Sequence, residues 1–291
     1  MAPTKRPQQY NESMRKYEKG YAFFEPASSF DVKPGCSGYI DAGGIWHPLV
    51  DIMDSVAVQK LGLSDLDQTI VVAMRPSSMR WGPRYSQSVK YNRYDVDLGA
   101  NGVPAGIPAE AKIVIKFDLG SQFGAVLICD SEVKMQGYHH LAPFRDWARK
   151  NAEKILNKFP DVYERGFFIA VSTYSTKDVY INSWSDKSQS VTLGFKLGVI
   201  PAGEIAPETE WYRGDSTSEW TRHMSNDGEE KVIFFRGLKF EYHKLTGYLR
   251  KPEDKVKEII PDKWRGANFI IRDPTNEDDA LEVKMSLLGK D

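Results

Sequence analysis

The cleanest pattern in the chain lies at residues 190–200. There Val191, Leu193, Phe195, Leu197 and Val199 alternate with Thr192, Gly194, Lys196 and Gly198. A period of two puts the apolar set on one face of a strand and the small or polar set on the other. Ile113, Ile115, Phe117 and Leu119 alternate with Val114, Lys116 and Asp118 in the same way. A longer period rules residues 143–159. Phe144, Trp147, Ala148, Ala152, Ile155, Leu156 and Phe159 fall on one face, opposite Arg145, Asp146, Arg149, Lys150, Glu153, Lys154 and Lys158. This spacing predicts an amphipathic helix, with Pro143 suited to its first turn and Pro160 ending it. Its single apolar stripe implies a sheet beneath.

Further strands are predicted at 69–74, 88–98, 123–129, 166–173, 178–184 and 231–242, the last interrupted near Arg236-Gly237. Asp41-Ala42-Gly43-Gly44, between two apolar segments, predicts a hairpin turn, and residues 175–178 predict a second. Residues 54–63 suit a short helix. Met79-Arg80-Trp81 lies between Arg75-Pro76 and Gly82-Pro83, which predicts a loop tip with an exposed indole. Residues 1–20 read as a solvated N-terminus and 204–230 as polar loop. The fold class expected is α+β, a twisted antiparallel sheet with flanking amphipathic helices. It divides into a body, 1–243, and a charged tail, 244–291, whose apolar stretch at 281–288 suits docking onto the body.

The 291 residues are 41% hydrophobic with a net charge of −1, so a sizeable core is available and no global charge draws nucleic acid. Two cysteines make no disulfide framework. Cys36 falls in an expected exposed turn, and Cys129 ends an apolar run. The first residues lack the apolar core of a secretory signal, and no apolar run reaches the roughly 18 residues of a membrane helix. The expectation is therefore a cytoplasmic chain that would cross a membrane only with strands closed into a barrel. Phosphate-loop, dinucleotide, zincin, Cys-x-x-Cys and Gly-x-Ser-x-Gly motifs are absent, so no catalytic residue, cofactor or metal is expected. His139-His140, as strand neighbours, would point to opposite faces.

Three ordered segments resemble the N-terminal domain of gasdermins. They are Ile40-Asp41-Ala42-Gly43-Gly44-Ile45-Trp46-His47-Pro48-Leu49-Val50, then Val71 to Tyr85 around Met79-Arg80-Trp81-Gly82-Pro83-Arg84, and the 143–159 helix followed by Gly166-Phe167-Phe168-Ile169-Ala170-Val171. Val199-Ile200-Pro201-Ala202-Gly203 is similar to the end of a later family strand. The resemblance implies a pore-forming protein that causes cell death. Lys16, Lys19, Met79, Arg80, Trp81 and Arg84 would then meet acidic lipid. Ile113, Ile115, Phe117, Val191, Leu193, Phe195, Leu197 and Val199 would line membrane-spanning strands. Leu281, Leu287 and Leu288 would make an autoinhibitory contact, released by an activating protease. The released body would move to the plasma membrane and form a homo-oligomer there. The sequence departs from the family in carrying one aromatic, Trp81, in the lipid-facing loop, and a short tail like that of fungal and bacterial members. A second function suits the same residues: a lectin-like or protein-binding module presenting Trp46, Trp81, Trp211 and Trp220.

Overall fold

Two long strands form the spine of the molecule, and each is shared between two neighbourhoods. The structure is a computed structural model. It describes residues 6–95, 107, 110–120, 122–196, 199–200, 204–205, 211–213, 220–226, 228–245, 268–273 and 280–289. The chain opens with α1 (Arg6–Met14), β1 (Tyr21–Ser28), the hairpin β2 (Cys36–Ile40) and β3 (Trp46–Asp51), and α2 (Ser55–Lys60). Then come β4 (Ser77–Met79), β5 (Arg84–Tyr85), β6 (Val89–Asp95), β7 (Ile113–Leu119), β8 (Gly124–Cys129) and β9 (Val133–Gly137). Helices α3 (Ala142–Lys158) and α4 (Val162–Arg165) lead into β10 (Phe167–Thr176), β11 (Asp178–Trp184) and β12 (Ser190–Phe195). The short β13 (Val199–Ile200), β14 (Glu204–Ile205), β15 (Trp211–Arg213) and β16 (Thr221–Met224) follow. The described chain closes with β17 (Lys231–Leu245), β18 (Phe269–Arg272) and β19 (Ala280–Leu288).

The main sheet has nine strands. β10 and β17 pair antiparallel from Phe167↔Phe240 to Thr176↔Lys231. The outer edge of β17 is divided between β1 and β19, and that of β10 between β2 and β9. Gly237 lies at the changeover, where a Cβ would sit 1.9 Å from the Ile169 carbonyl oxygen. Only glycine permits that approach, and the register shifts between Ala170 and Ser172 beside it. Arg236-Gly237 is thus a bulge site inside one 15-residue strand and not the predicted interruption.

The 143–159 periodicity folds as α3, within a residue of its expected ends, with Pro143 in the first turn. Its stripe of Phe144, Trp147, Ala148, Ala152, Ile155 and Leu156 covers Phe167, Ile169, Leu238 and Phe240 of the sheet. The one polar residue in that stripe, Asn151, is clamped. Its Oδ1 accepts from the Ser64 amide at 2.7 Å, and its Nδ2 donates to the Ser64 and Trp147 carbonyls at 3.1 and 3.0 Å.

Two four-stranded sheets stack on the other half of β10 and β17: β16-β11-β8-β5, and beyond it β15-β12-β7-β6. The first is a middle layer. Ala125, Leu127, Val179 and Ile181 face Tyr174, Ile233 and Phe234 of the main sheet, while Val126, Ile128 and Trp184 face the outer sheet. Both faces being covered explains why β8 reads as an unbroken apolar run.

Several expectations fail for tertiary reasons. Residues 175–178 form no hairpin. β10 already takes β9 on that edge, so the chain steps into the middle layer, and Ser131 Oγ accepts from the Lys177 and Asp178 amides at 3.0 and 3.1 Å. Residues 69–74 contain a 3₁₀ turn and a single bridge, Ala73↔Tyr138, in place of a strand. Residues 6–14 are a packed helix, not a solvated end: Pro7, Tyr10 and Met14, at helical spacing, are buried. The supposed loop 204–230 contributes β14, β15 and β16. Cys36 begins a strand and is buried, which pushes its thiol up to about 11. The 88–98 segment forms β6 as far as Asp95, and 96–98 fall outside the described residues.

Within the tail, residues 280–288 are a strand of the main sheet. β19 pairs with β17 from Gly237↔Leu288 to Leu245↔Ala280. Leu281 and Val283 enter the core beneath α3, Leu288 packs near Trp46 and Phe168, and Leu287 stays 46% exposed.

Candidate functional site

The end of α1 tightens into a 3₁₀ turn, Arg15–Tyr17, followed by Glu18 at φ 54° and Gly20 at φ 93°. These left-handed residues reverse the chain into β1. A Cβ on Gly20 would lie 2.0 Å from the Phe235 carbonyl oxygen, so the reversal requires glycine. The turn brings Tyr17 against β5. Its hydroxyl accepts from the Tyr85 amide at 2.7 Å and donates to the Tyr85 carbonyl at 3.0 Å. A short edge strand is thereby fastened to the N-terminal helix.

Cations and rings interleave around this fastening. Lys16 Nζ lies 3.6 Å from the Tyr85 ring centroid and 5.0 Å from that of Tyr17. The Arg84 guanidinium carbon is 5.0 Å from both the Tyr17 and Trp81 rings, and Lys19 Nζ is 5.1 Å from Tyr174. Among the described residues, no carboxylate forms an ion pair with Lys16, Lys19 or Arg84. Partial burial, then the charge of Arg84, lowers the Lys16 pKa to about 8; burial raises that of Tyr17 to about 12. Each cation is held by aromatic faces, worth about 0.5–1 kcal/mol at exposed sites, and not by an acid. The charge is left available to an external anion.

This surface gathers Lys16, Lys19 and Arg84 from the expected lipid-contact set. Trp81 is a correction. It is 7% exposed and packs on Tyr174 and Phe234 at 5.7 and 5.9 Å, because an apolar slot between the main and middle sheets lies directly behind it. Met79 is 42% exposed and Arg80 is exposed, but Met79 ends an edge strand paired with β9 and is not at a loop tip. Trp46 is likewise buried, against Phe168 and Phe235, and Trp220 is half-buried against the interlayer core, so neither offers the open indole surface of the binding-module reading. The Trp211 side chain is outside the described residues. Tyr17 and Tyr85 were missed, although two basic–aromatic pairs, Lys16-Tyr17 and Arg84-Tyr85, marked them.

The alternating strands adjoin this surface through the middle layer. β7 runs into β8 through residues 120–123, and β11 into β12 through 185–189. Neither consecutive pair is bonded to itself. β7 pairs with β12 from Ile113↔Phe195 to Asp118↔Ser190, and β8 pairs with β11 from Cys129↔Val179 to Gly124↔Trp184. Two chain reversals are thus folded over each other like a closed book. Ile113, Ile115, Phe117, Val191, Leu193 and Phe195 all point into the closed seam. Leu197 and the Val199 side chain lie outside the described residues, and the Val199 backbone is in β13.

No protein-family model and no curated protein sequence matches the chain. Three chains of solved structures do. One is the cryo-EM structure of the gasdermin A3 membrane pore, 10% identical, covering 80% of this chain and 88% of that one at a TM-score of 0.29. Among the described residues, no helix is long and apolar enough to cross a membrane, which leaves strand crossings open.

Proposed function

We propose that this chain is a non-catalytic, gasdermin-like protein that permeabilises membranes and triggers cell death. Lys16, Lys19 and Arg84 dock it on acidic lipid, and Arg80 adds a further cation. The folded-over pairs β7–β8 and β11–β12 then swing open into two hairpins. The supporting observation is that β7 and β12 are already register-paired. Opening keeps that ladder, releases the outer edges of β7 and β12 from β6 and β15, exchanges the β8–β11 bonds for hairpin bonds, and yields the order β8-β7-β12-β11. Strands crossing lipid must satisfy every backbone group in this way. Six or seven residues per strand fall short of the roughly 9–11 a tilted crossing strand needs, so the turns and flanking residues join the hairpins. Further copies close the wall into a ring.

An activating protease acting between residues 246 and 267 would separate the tail from the body in the cytoplasm before the protein moves to the plasma membrane. The resting contact is the β17–β19 ladder, with Leu281 and Leu288 packed at its two ends and Leu287 on its exposed side. The direct test uses full-length protein with an engineered protease site in that interval. Nicked protein should release dye from vesicles containing acidic lipid, and intact protein should not. Folded, nicked protein that leaves such vesicles sealed would end this reading.

A further inference from the structure

A second site lies along α1, ahead of the turn that carries Lys16. A cleft of about 440 Å³ opens between Gln9, Glu12 and Ser13 of the helix, Gln87 and Ser88 ahead of β6, and Gln122 and Phe123 in the turn before β8. Among the described residues no cation lines it, and the one charge is the Glu12 carboxylate, which disfavours phosphate and other anions. Its serines are spent within the protein: Ser13 Oγ donates to the Tyr10 carbonyl at 2.9 Å, and Ser88 Oγ donates to that of Phe123. The three glutamines are not. The Gln9 Oε1 atom is buried and accepts no hydrogen bond among the described residues. Gln87 and Gln122 hold exposed carboxamides over the cleft mouth.

A carboxamide offers a donor pair beside an acceptor, which matches neighbouring hydroxyls that each donate and accept. A carboxylate accepts from two such hydroxyls. The volume falls in the range of small-molecule sites, roughly 300–1,000 Å³. We infer that this cleft binds a neutral saccharide. The site shares no residue with the cationic surface and does not depend on membrane permeabilisation.

The test is saturation-transfer NMR on the full chain with methyl glycosides of glucose, mannose, galactose and N-acetylglucosamine. Ring protons of at least one glycoside should receive saturation. Gln87→Ala/Gln122→Ala, changing two exposed side chains, should weaken its affinity about tenfold or more, for two lost hydrogen bonds, with the thermal midpoint unchanged. Gln9→Leu gives a second reading: affinity should fall while folding is kept or improved, since an unpaired buried oxygen is removed. Silence from every glycoside, undiminished transfer in the double variant, or tighter binding of an inositol phosphate would overturn the assignment. Phosphatidylcholine vesicles with and without glucosylceramide then distinguish a lipid-borne sugar from a soluble one.

Discussion

The helix-backed half of the main sheet and the closed book of β7, β8, β11 and β12 bury the same kinds of side chain, yet they are tied together differently. In the first, a 15-residue and a 10-residue strand share a long ladder, and a further nine-position ladder binds β19 to β17. Polar clamps fix the helix on top: Asn151 to Ser64, and the Tyr242 hydroxyl donating to the Ala152 carbonyl at 2.9 Å. In the second, no strand exceeds seven residues, and the middle and outer sheets are joined by apolar contact, by short chain links and by a few hydrogen bonds such as Ser88 Oγ to the Phe123 carbonyl. Inside its seam, Asn182 Nδ2 and Trp184 Nε1 are buried without a hydrogen-bond partner among the described residues. Such groups cost about 1–3 kcal/mol each, but the helix-backed half holds one as well, Trp147 Nε1 under α3, so they do not separate the two regions. Burial alone therefore does not identify the rigid part of this protein. Ladder length and connectivity do.

The strongest way to break this comparison is to fasten the book shut. Ala125 and Ser183 are directly opposed in the β8–β11 ladder. Opposed antiparallel residues have a Cα separation that a disulfide can bridge. Oxidised A125C/S183C protein should lose vesicle leakage entirely, and reductant should restore it. Equal leakage from the oxidised protein would show that β8 and β11 never part.

Next in size is damage to the scaffold. Phe167 and Phe240 stack at 4.6 Å beneath α3, and Phe240→Ala should cost about 3–5 kcal/mol in urea unfolding. Hydrogen exchange on the unaltered protein sharpens the contrast. Amides of the β8–β11 ladder should exchange through partial opening, while those of β10 and β17 wait for global unfolding.

Smaller effects belong to the cationic surface. K16A/R84A should weaken binding to acidic vesicles by about 2 kcal/mol, from about 1 kcal/mol per basic group, with little change in the urea midpoint. Raising the pH through about 8 should discharge Lys16 and cost about 1 kcal/mol of that binding, and K16R should abolish the dependence. The stability sign is opposite. The folded pKa of Lys16 lies below its ordinary 10.5, so folding releases a proton, and the folded state gains stability as pH climbs from about 8 toward 10.5. Urea unfolding at pH 7.5 and 9.5 measures that gain.

Local pattern carried well where one face of an element was buried and the other wet. The α3 stripe was legible on those grounds, and the β2–β3 turn from Asp41–Gly44; the alternation in β7 and β12 was legible too, although Thr192 and Gly194 of β12 are buried as well. It failed where layers stack. Residues 175–178 carry the polar, turn-forming composition of a hairpin, but whether a chain returns on itself or crosses to another layer depends on which edge is vacant. Trp81 between two proline breaks looks exposed for the same reason: its covering residues, Tyr174 and Phe234, are about 90 and 150 positions away in the chain.

The sequence by itself determined the periods: where the chain is helical, where it is extended, which face is apolar, and which residues carry positive charge. The tertiary structure decided the partners. It placed Lys16, Lys19 and Arg84 around shared rings, closed β7–β8 over β11–β12, and drew residues 280–288 into the main sheet. The physical reason is range. Periodicity comes from backbone geometry over a few residues, whereas strand pairing and charge clustering are set by contacts between segments that only the folded chain brings together.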